Sequence, residues 1–170
     1  MAEIWDVFDK DRKKLNKKHE RGVPLVEGEY HIVVSAWIIN SEGMIFVQKR
    51  HPQKPHPNLW ECPGGSILEG ESSFQGIIRE VEEEIGINLR DAQGELVKSI
   101  RRDHHRDFYD VWLFKKDFSE HDVLLQETEV VDSKWVTRDE LEKMWENGEL
   151  GHTLGNIHDL FWGDSRWTLR

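Results

Sequence analysis

The chain has few of the features that would place it in a membrane or in a secreted, disulfide-linked fold. It contains one cysteine, Cys62, in 170 residues, which excludes an internal disulfide framework and fits a reducing compartment. No apolar run approaches the roughly 18 residues needed to cross a bilayer, and the start MAEIWDVFDKDRKK lacks the apolar segment of a secretory signal. We therefore expect a cytoplasmic protein without a membrane partner.

Positive charge is also scarce, because 23 Lys and Arg residues face 33 Asp and Glu residues and the formal net charge is -10. A surface this negative repels phosphate backbones, which argues against a nucleic-acid polymer as partner. A small anionic substrate stays compatible with it if a bound metal supplies positive charge. Eight tryptophans and seven phenylalanines argue against disorder, and the length fits one domain with a sizeable core.

The N-terminal half of the chain contains three predicted strands. The segment EIWDVFD predicts a short first strand. The basic segment KDRKKLNKKHERG that follows is either a solvated turn or edge strand, or a rim that attracts anions to a cleft. The run HIVVSAWIIN (31–40) predicts a buried strand, and MIFVQKR (44–50) predicts its hairpin partner across the turn SEG.

The C-terminal half adds further strands and more helix around a central helix. Strands are predicted at ELVKSIRR, DFYDVWLFKK and SKWVT (133–137), and helices at RDELEKMWENGEL and GNIHDLFW. Strands on both sides of a helix, with more helix after them, indicate a mixed β-sheet between helices. We therefore predict an α+β fold arranged as an α/β/α sandwich.

The central helix is predicted between Ser72 and Gly86. Ser72 is a good N-cap, Gln75 completes a capping box, and Gly86 is a natural C-terminal stop. A helix turns about 100° per residue, so one face is apolar and should pack on the sheet. That face consists of Phe74, Ile77, Ile78, Val81 and Ile85.

A second face of the same helix gathers three carboxylates. Glu80, Glu83 and Glu84 stand at i, i+3 and i+4, so their like charges should destabilise the helix. Arg79 is close enough to help, but one arginine does not neutralise three carboxylates. Mg²⁺ would do more, because it takes oxygen ligands and completes its shell with water and substrate phosphates. The alternative is an acidic face that is merely solvated.

The stretch from Gly65 to Ile87 resembles the Nudix box, G-x5-E-x7-R-E-U-x-E-E-x-G-U, in which U is aliphatic. Every fixed position is filled, by Gly65, Glu71, Arg79, Glu80, Val81, Glu83, Glu84, Gly86 and Ile87. The resemblance extends over residues 30–147. It implies a single Nudix domain over 1–170, with an N-terminal strand and basic segment at 1–29 and the box at 64–87.

The resemblance implies a Mg²⁺- or Mn²⁺-dependent hydrolase that cleaves nucleoside diphosphates linked to another moiety. It implies Glu80, Glu83 and Glu84 as metal ligands, with the carbonyl of Gly64 as a further one. Four residues would support the box structurally, namely Gly65, Glu71, Arg79 and Gly86. For Glu71, the resemblance leaves open whether it braces the loop or binds metal.

The resemblance leaves open which carboxylate accepts the proton of the attacking water. Glu83 and Glu80 in the box are candidates, and so is the loop LLQETEVVDSKW ahead of the last strand, where we favour Glu129 over Glu127. The alternative for both loop glutamates is that they are only solvated.

Three residues outside the box are candidates for contacting the substrate. Lys49 and Arg50, at the end of a strand, could reach a phosphate. Trp60 could stack on a nucleobase, although a place in the core is the alternative.

Several segments are also similar to isopentenyl-diphosphate isomerases, which share the Nudix fold: GEYHIVVSAWIIN, VQKR, LW and TEVVDSKW. Those enzymes use a cysteine at the position of Gly64, whereas Cys62 lies two residues earlier. His31 matches one of their metal-binding histidines, but Ser66 stands where another is expected. The complete box favours a hydrolase of this isomerase-like branch. An isomerase and a catalytically silent nucleotide-binding module remain the alternatives, and the sequence leaves monomer and homodimer open.

Overall fold

The computed structural model describes residues 2–151 and residue 154. These residues form nine strands: β1 (Ile4–Phe8), β2 (Lys14–Glu20), β3 (His31–Ile39), β4 (Ile45–Arg50), β5 (Trp60–Glu61), β6 (Gly64–Ser66), β7 (Gln93–Arg102), β8 (Asp107–Lys115) and β9 (Val130–Val136). They also form two α-helices, α1 (Ser73–Ile85) and α2 (Arg138–Glu146). The helix predicted at GNIHDLFW lies outside the described residues. No described helix combines the length and the apolar character needed to span a membrane.

The central sheet is mixed, as predicted. Its main strand order is β5-β4-β3-β8-β7, with β6 paired to β3 and β9 paired to β4. β3 and β8 run parallel along their whole length, while the other pairs are antiparallel. β3 and β4 are paired only near their turn, at Ile39 and Ile45. Beyond that point β4 pairs with β5, and β3 pairs with β6.

Each face of the sheet carries its own hydrophobic core. Side chains alternate along β3, so Ile32, Val34, Ala36 and Ile38 lie in one core, while Trp37 and Ile39 lie in the other. Helix α1 covers the first core with Ile77, Val81 and Ile85. Helix α2 covers the second with Leu141 and Met144. Two helices on opposite faces of one sheet confirm the predicted sandwich.

Helix α1 begins and ends as its sequence predicts. The Ser72 side chain accepts from the Gln75 N–H, and the Gln75 side chain accepts from the Ser72 N–H, which completes the capping box. Gly86 closes the helix at φ 71°, a left-handed conformation that glycine adopts without strain. The prediction was wrong for Phe74, which remains 37% exposed. It lies in the first turn and packs edge-on against Trp112 at the margin of the sheet.

The basic N-terminal segment forms β2, the outer strand of a two-stranded hairpin with β1. This hairpin packs on the loop that leads into α1. The Ile4 carbonyl accepts from the Glu69 N–H at 2.8 Å, and the Asp6 carboxylate accepts from the Gly70 N–H at 2.9 Å. Lys14 pairs with the same Asp6 at 2.6 Å. The hairpin is therefore attached to the acidic stretch that the sequence singled out.

Candidate functional site

One cleft of about 280 Å³ gathers most of the predicted site residues. Seven of them line it: Arg50, Gly64, Gly65, Glu80, Glu83, Glu84 and Glu129. Residues that sequence reasoning missed line it too, among them Glu3, Arg21, Lys54 and Gln126. The cleft is thus built from the N-terminal hairpin, the end of β4, the strand β6, helix α1 and the loop before β9.

Two glycines of β6 allow α1 and β3 to approach this strand closely. A Cβ atom at Gly64 would lie 2.1 Å from the Val34 carbonyl oxygen, which is a clash with backbone. A Cβ atom at Gly65 would lie 2.6 Å from the Glu80 carboxyl carbon. Gly64 therefore requires glycine, because the backbone of β3 occupies the space that a side chain would fill, whereas a side chain at Gly65 would displace the Glu80 carboxylate.

Arg79 contacts three glutamates at once. Its Nε and Nη2 atoms donate to the two Glu71 carboxylate oxygens at 2.7 and 3.0 Å. Its Nη1 atom donates to Glu80 and to Glu83, both at 3.0 Å. The Glu71 carboxylate also accepts from the Leu68 N–H at 2.8 Å. Both oxygens of Glu71 are therefore engaged, which joins the loop to the helix.

The pKa of Glu71, which pairs with Arg79, is shifted in the opposite direction from the pKa values of Glu80 and Glu84. Partial burial acts to raise the pKa of Glu71, but the hydrogen bonds from Arg79 and Leu68 outweigh it and hold that pKa below its usual value. Burial acts to lower the pKa of Arg79, but its three carboxylate partners raise it on balance. Both members of the pair are thus firmly ionised.

Glu80 and Glu84 are less well compensated. Burial raises the pKa of Glu84 to about 8, and the negative charge of Glu80 adds to the shift. Burial raises the pKa of Glu80 to about 7, although Arg79 opposes this shift. Surrounded by protein groups alone, these carboxyl groups hold protons up to near-neutral pH. A bound cation would therefore stabilise the ionised form of these two carboxyl groups more than that of Glu71, which is already paired with Arg79.

Helix α1 supplies oxygen donors that suit a hard divalent cation, but they are not yet arranged as a cage. Across residues 2–151 and 154, no three His, Cys, Asp or Glu side chains converge as ligands of one ion. Arg79 holds Glu80 and Glu83, and Glu84 accepts from Gln48 and Gly64. Glu83 lines the cleft and is 52% exposed, so its side chain has room to change its orientation. The chemistry of the donors therefore fits Mg²⁺ or Mn²⁺ once these side chains reorient.

Three cations line the same cleft, each with a carboxylate partner. Arg50 pairs with Glu61 at 2.8 Å, Arg21 pairs with Glu3 at 2.8 Å, and Lys54 pairs with Glu129. Only Arg50 was a sequence candidate. Arg21 is brought in by the packing of the hairpin, and Lys54 by the proline-rich loop 51–58. The one sequence signal for Arg21 was the alternative interpretation of the basic segment as a rim around a cleft.

The structure does not bring Lys49 and Trp60 to the cleft. Gln48 points towards α1, so Lys49, the next residue of β4, points to the opposite face of the sheet. Trp60 is 8% exposed and belongs to the core under α2, with the Lys134 ammonium 4.4 Å from its ring centroid. Lys49 and Trp60 were predicted to contact the substrate, and for this cleft that prediction was wrong.

The loop before β9 places Glu129, and not Glu127, beside the glutamates of α1. The Glu129 carbonyl accepts from the His51 N–H at 2.8 Å, which ties this loop to the proline-rich loop. Glu127 is exposed and is not among the residues that line the cleft. Of the two candidates in this loop, only Glu129 is in a position to act on a bound group.

The two residues considered for an isomerase, Cys62 and His31, lie elsewhere. Cys62 is 2% exposed within the core under α2, and burial raises the pKa of its thiol well above the usual value. His31 is 8% exposed and stacks on Trp5, with ring centroids 4.1 Å apart. Neither residue lines the cleft.

Comparison with known proteins adds three findings. The model of the NUDIX domain family matches residues 29–154. The uncharacterized Nudix hydrolase lmo0368 of Listeria monocytogenes is 39% identical over 149 residues, covering 86% of this chain and 87% of that protein. The CTP pyrophosphohydrolase of Escherichia coli is 39% identical over 72 residues, covering 42% of this chain and 52% of that protein.

Among solved structures, DR0079 from Deinococcus radiodurans superposes with a TM-score of 0.77 at 20% identity, covering 94% of this chain and 99% of that one. At this identity the likeness shows the fold alone. The β1–β2 hairpin lies before residue 29 and therefore outside the range of the family match.

Proposed function

This chain belongs to the Nudix family and is a hydrolase that acts on diphosphate bonds, and on that premise we propose that it cleaves nucleoside diphosphate derivatives in a reaction that depends on Mg²⁺ or Mn²⁺. One observation carries the proposal: three acidic residues of α1 and three cations line a single cleft. The name of the partly matching CTP pyrophosphohydrolase supports a nucleotide substrate.

Glu80, Glu83 and Glu84, with the carbonyl of Gly64, would hold the cation. When bound, such a cation neutralises diphosphate oxygens and lowers the pKa of a water molecule. Arg79 would release Glu80 or Glu83 to the cation while remaining bound to both oxygens of Glu71. The Glu71–Arg79 pair would then keep the loop and the helix in register during the reaction.

The cations of the cleft would bind the phosphates. Arg21 follows β2, while Arg50 ends β4 and Lys54 lies in the loop directly after it, so together they can contact more than one phosphate oxygen. If Lys54 moves from Glu129 to a phosphate, the Glu129 carboxylate becomes available as the proton acceptor of the attacking water. Glu80 and Glu83 are the alternatives for this role.

The two other functions that the sequence left open, an isomerase and a silent binding module, have less support than a hydrolase. An isomerase of the isopentenyl-diphosphate type would need a thiol near the substrate, whereas Cys62 is buried in the other core. A silent binding module would have no use for two carboxyls buried without full compensation. We also propose that the chain belongs to an isomerase-like branch of the family, because its segments GEYHIVVSAWIIN, VQKR, LW and TEVVDSKW are similar to isopentenyl-diphosphate isomerases.

The test is a hydrolysis assay with Mg²⁺ and a panel of nucleoside diphosphate derivatives, in which released phosphate or nucleotide is measured. We expect Glu83→Gln to lower kcat at least 100-fold, because a neutral amide of the same shape is a poor ligand for a hard cation. The matched control is Glu82→Gln, on the same helix but paired with Arg90 outside the cleft; it should keep full activity.

Two outcomes would contradict the proposal. The first is an unchanged rate for Glu83→Gln. The second is a folded parent protein that cleaves no member of the panel with either Mg²⁺ or Mn²⁺.

A further inference from the structure

Gln48 is a polar side chain with no exposed surface in the middle of the sheet. It lies on β4, on the face towards α1, two residues from the equally buried Phe46. Burial of an amide in such surroundings costs free energy unless its polar atoms are hydrogen bonded. An aliphatic side chain would fill this position at a lower cost, so the contacts of Gln48 need an explanation.

Among the described residues, the amide of Gln48 makes one hydrogen bond, and it is to Glu84. Its Nε2 atom donates to Glu84 Oε2 at 2.8 Å, while its Oε1 atom is buried and has no partner among the described residues. The backbone N–H of Gly64 donates to the same Glu84 Oε2 at 3.0 Å. Both donors therefore act on one oxygen of the carboxylate.

The other oxygen of Glu84 is left without a protein donor within the described part of the chain. Two hydrogen bonds to Oε2, from directions fixed by β4 and β6, set the orientation of the whole carboxylate group. Glu84 itself lines the cleft beside Glu80 and Glu83. Its Oε1 atom is thereby kept available as a ligand.

We propose that Gln48 is a positioning residue, which orients Glu84 so that one of its oxygens can bind the divalent cation. The inference rests on the proposed function, because it assigns Glu84 to the metal. Groups that hydrogen-bond to a metal ligand fix its direction, and their loss typically weakens metal binding by about 10- to 100-fold. Gln48 lies outside the box, on β4, whose last residue Arg50 also lines the cleft.

The experiment is a titration of the purified protein with Mn²⁺ in the absence of substrate, followed by calorimetry or by the electron paramagnetic resonance signal of free Mn²⁺. We expect Gln48→Met, which keeps the length of the side chain but removes the donor, to weaken Mn²⁺ binding about 10- to 100-fold. In the activity assay the Mg²⁺ concentration for half-maximal rate should rise by a similar factor. At saturating Mg²⁺, kcat and the substrate KM should stay close to those of the parent.

The matched control is Phe46→Leu, on the same strand and the same face but in contact with Phe118 and Trp135 instead of Glu84. It loosens the core, and it should leave Mn²⁺ binding unchanged. If Gln48→Met fails to fold, Gln48→Leu takes its place. Failure of both to fold would show a structural role for Gln48 and overturn the inference.

Failure of the proposed function and failure of the proposed role of Gln48 would give different results. A parent that binds no Mn²⁺, with or without a diphosphate, would defeat the proposed function itself. A parent that binds Mn²⁺, with affinity lost in Glu84→Gln but unchanged in Gln48→Met, would defeat only the role of Gln48.

Discussion

Single residues decide where charge is tolerated inside this protein. The Asp110 side chain is fully buried, yet it accepts hydrogen bonds from Arg12, Ser73 and Ser99. Glu84, by contrast, has two donors on one oxygen and lies next to the charge of Glu80. The negative charge of Asp110 is thus compensated within the protein, whereas the charge of Glu84 is one that an added cation would stabilise.

His31 is a buried group of another kind, because burial favours its neutral form. Burial lowers its pKa from 6.5 to about 4. The charged groups that act on it are Asp107, which opposes the shift, and Arg102, His19 and Arg21, which add to it. The unfolded chain takes up a proton at His31 below about pH 6.5, while the folded chain does not until about pH 4, so stability is lost as the pH falls between these values.

We predict that His31→Phe removes this loss while keeping the stacking on Trp5. Between pH 7 and pH 4, the free energy of unfolding of the parent should fall by about 3 kcal/mol more than that of the variant. Urea denaturation at several pH values measures the difference. Parallel pH profiles for the two proteins would show that His31 is not held neutral by the fold.

At the scale of elements, local patterns predicted the long strands and α1 correctly. The capping box and the run 31–40 depend on neighbours in sequence, so they can be read from the chain alone. The short strands β5 and β6 could not be predicted, because two or three residues carry no periodicity. They form because β4 and β3 offer unpaired edges beyond their turn.

The pairing of β6 with β3 gives a prediction for Gly64, which lies on β6 opposite Ser35. Gly64→Ala should lower the free energy of unfolding by about 1–3 kcal/mol, because the added Cβ would lie 2.1 Å from the Val34 carbonyl oxygen and force the strands apart. It should also weaken Mn²⁺ binding, since the Gly64 N–H positions Glu84. Gly151→Ala is the control, because its Cβ would make only ordinary contacts, the nearest at 3.5 Å.

Thermal unfolding and Mn²⁺ titration of both variants check this prediction. If Gly64→Ala matched the parent in both measurements, the close approach of β6 to β3 would be irrelevant to the site.

At the scale of the whole molecule, the site combines parts that are distant in sequence. The glutamates share one helix, so their spacing alone predicted that their side chains lie close together, and all three line the cleft. Arg21 reaches the cleft because the hairpin packs against the box, and Lys54 because the proline-rich loop is tied to the loop before β9. Lys49 and Trp60 were misplaced for a related reason: in a strand, a shift of one residue moves a side chain to the opposite face of the sheet.

The arrangement also reconciles an acidic protein with an anionic substrate. The net charge is -10, yet three cations line the cleft where the diphosphate is proposed to bind. Each of them is paired with a carboxylate, so the positive charge becomes available only when a competing anion arrives. A metal ion bound by the glutamates of α1 would add to the attraction of the diphosphate in the cleft. The rest of the acidic surface would still repel nucleic-acid polymers.

The most direct test of this account is the number of protons released when Mn²⁺ binds, measured by calorimetry in buffers of different ionisation enthalpy. Since Glu84 and Glu80 have pKa values of about 8 and about 7, binding at pH 7 should release roughly one to two protons per cation. The release should fall towards zero at pH 9, where both carboxyls are already ionised. Absence of binding, or binding at pH 7 without proton release, would contradict the claim that these buried glutamates hold the metal.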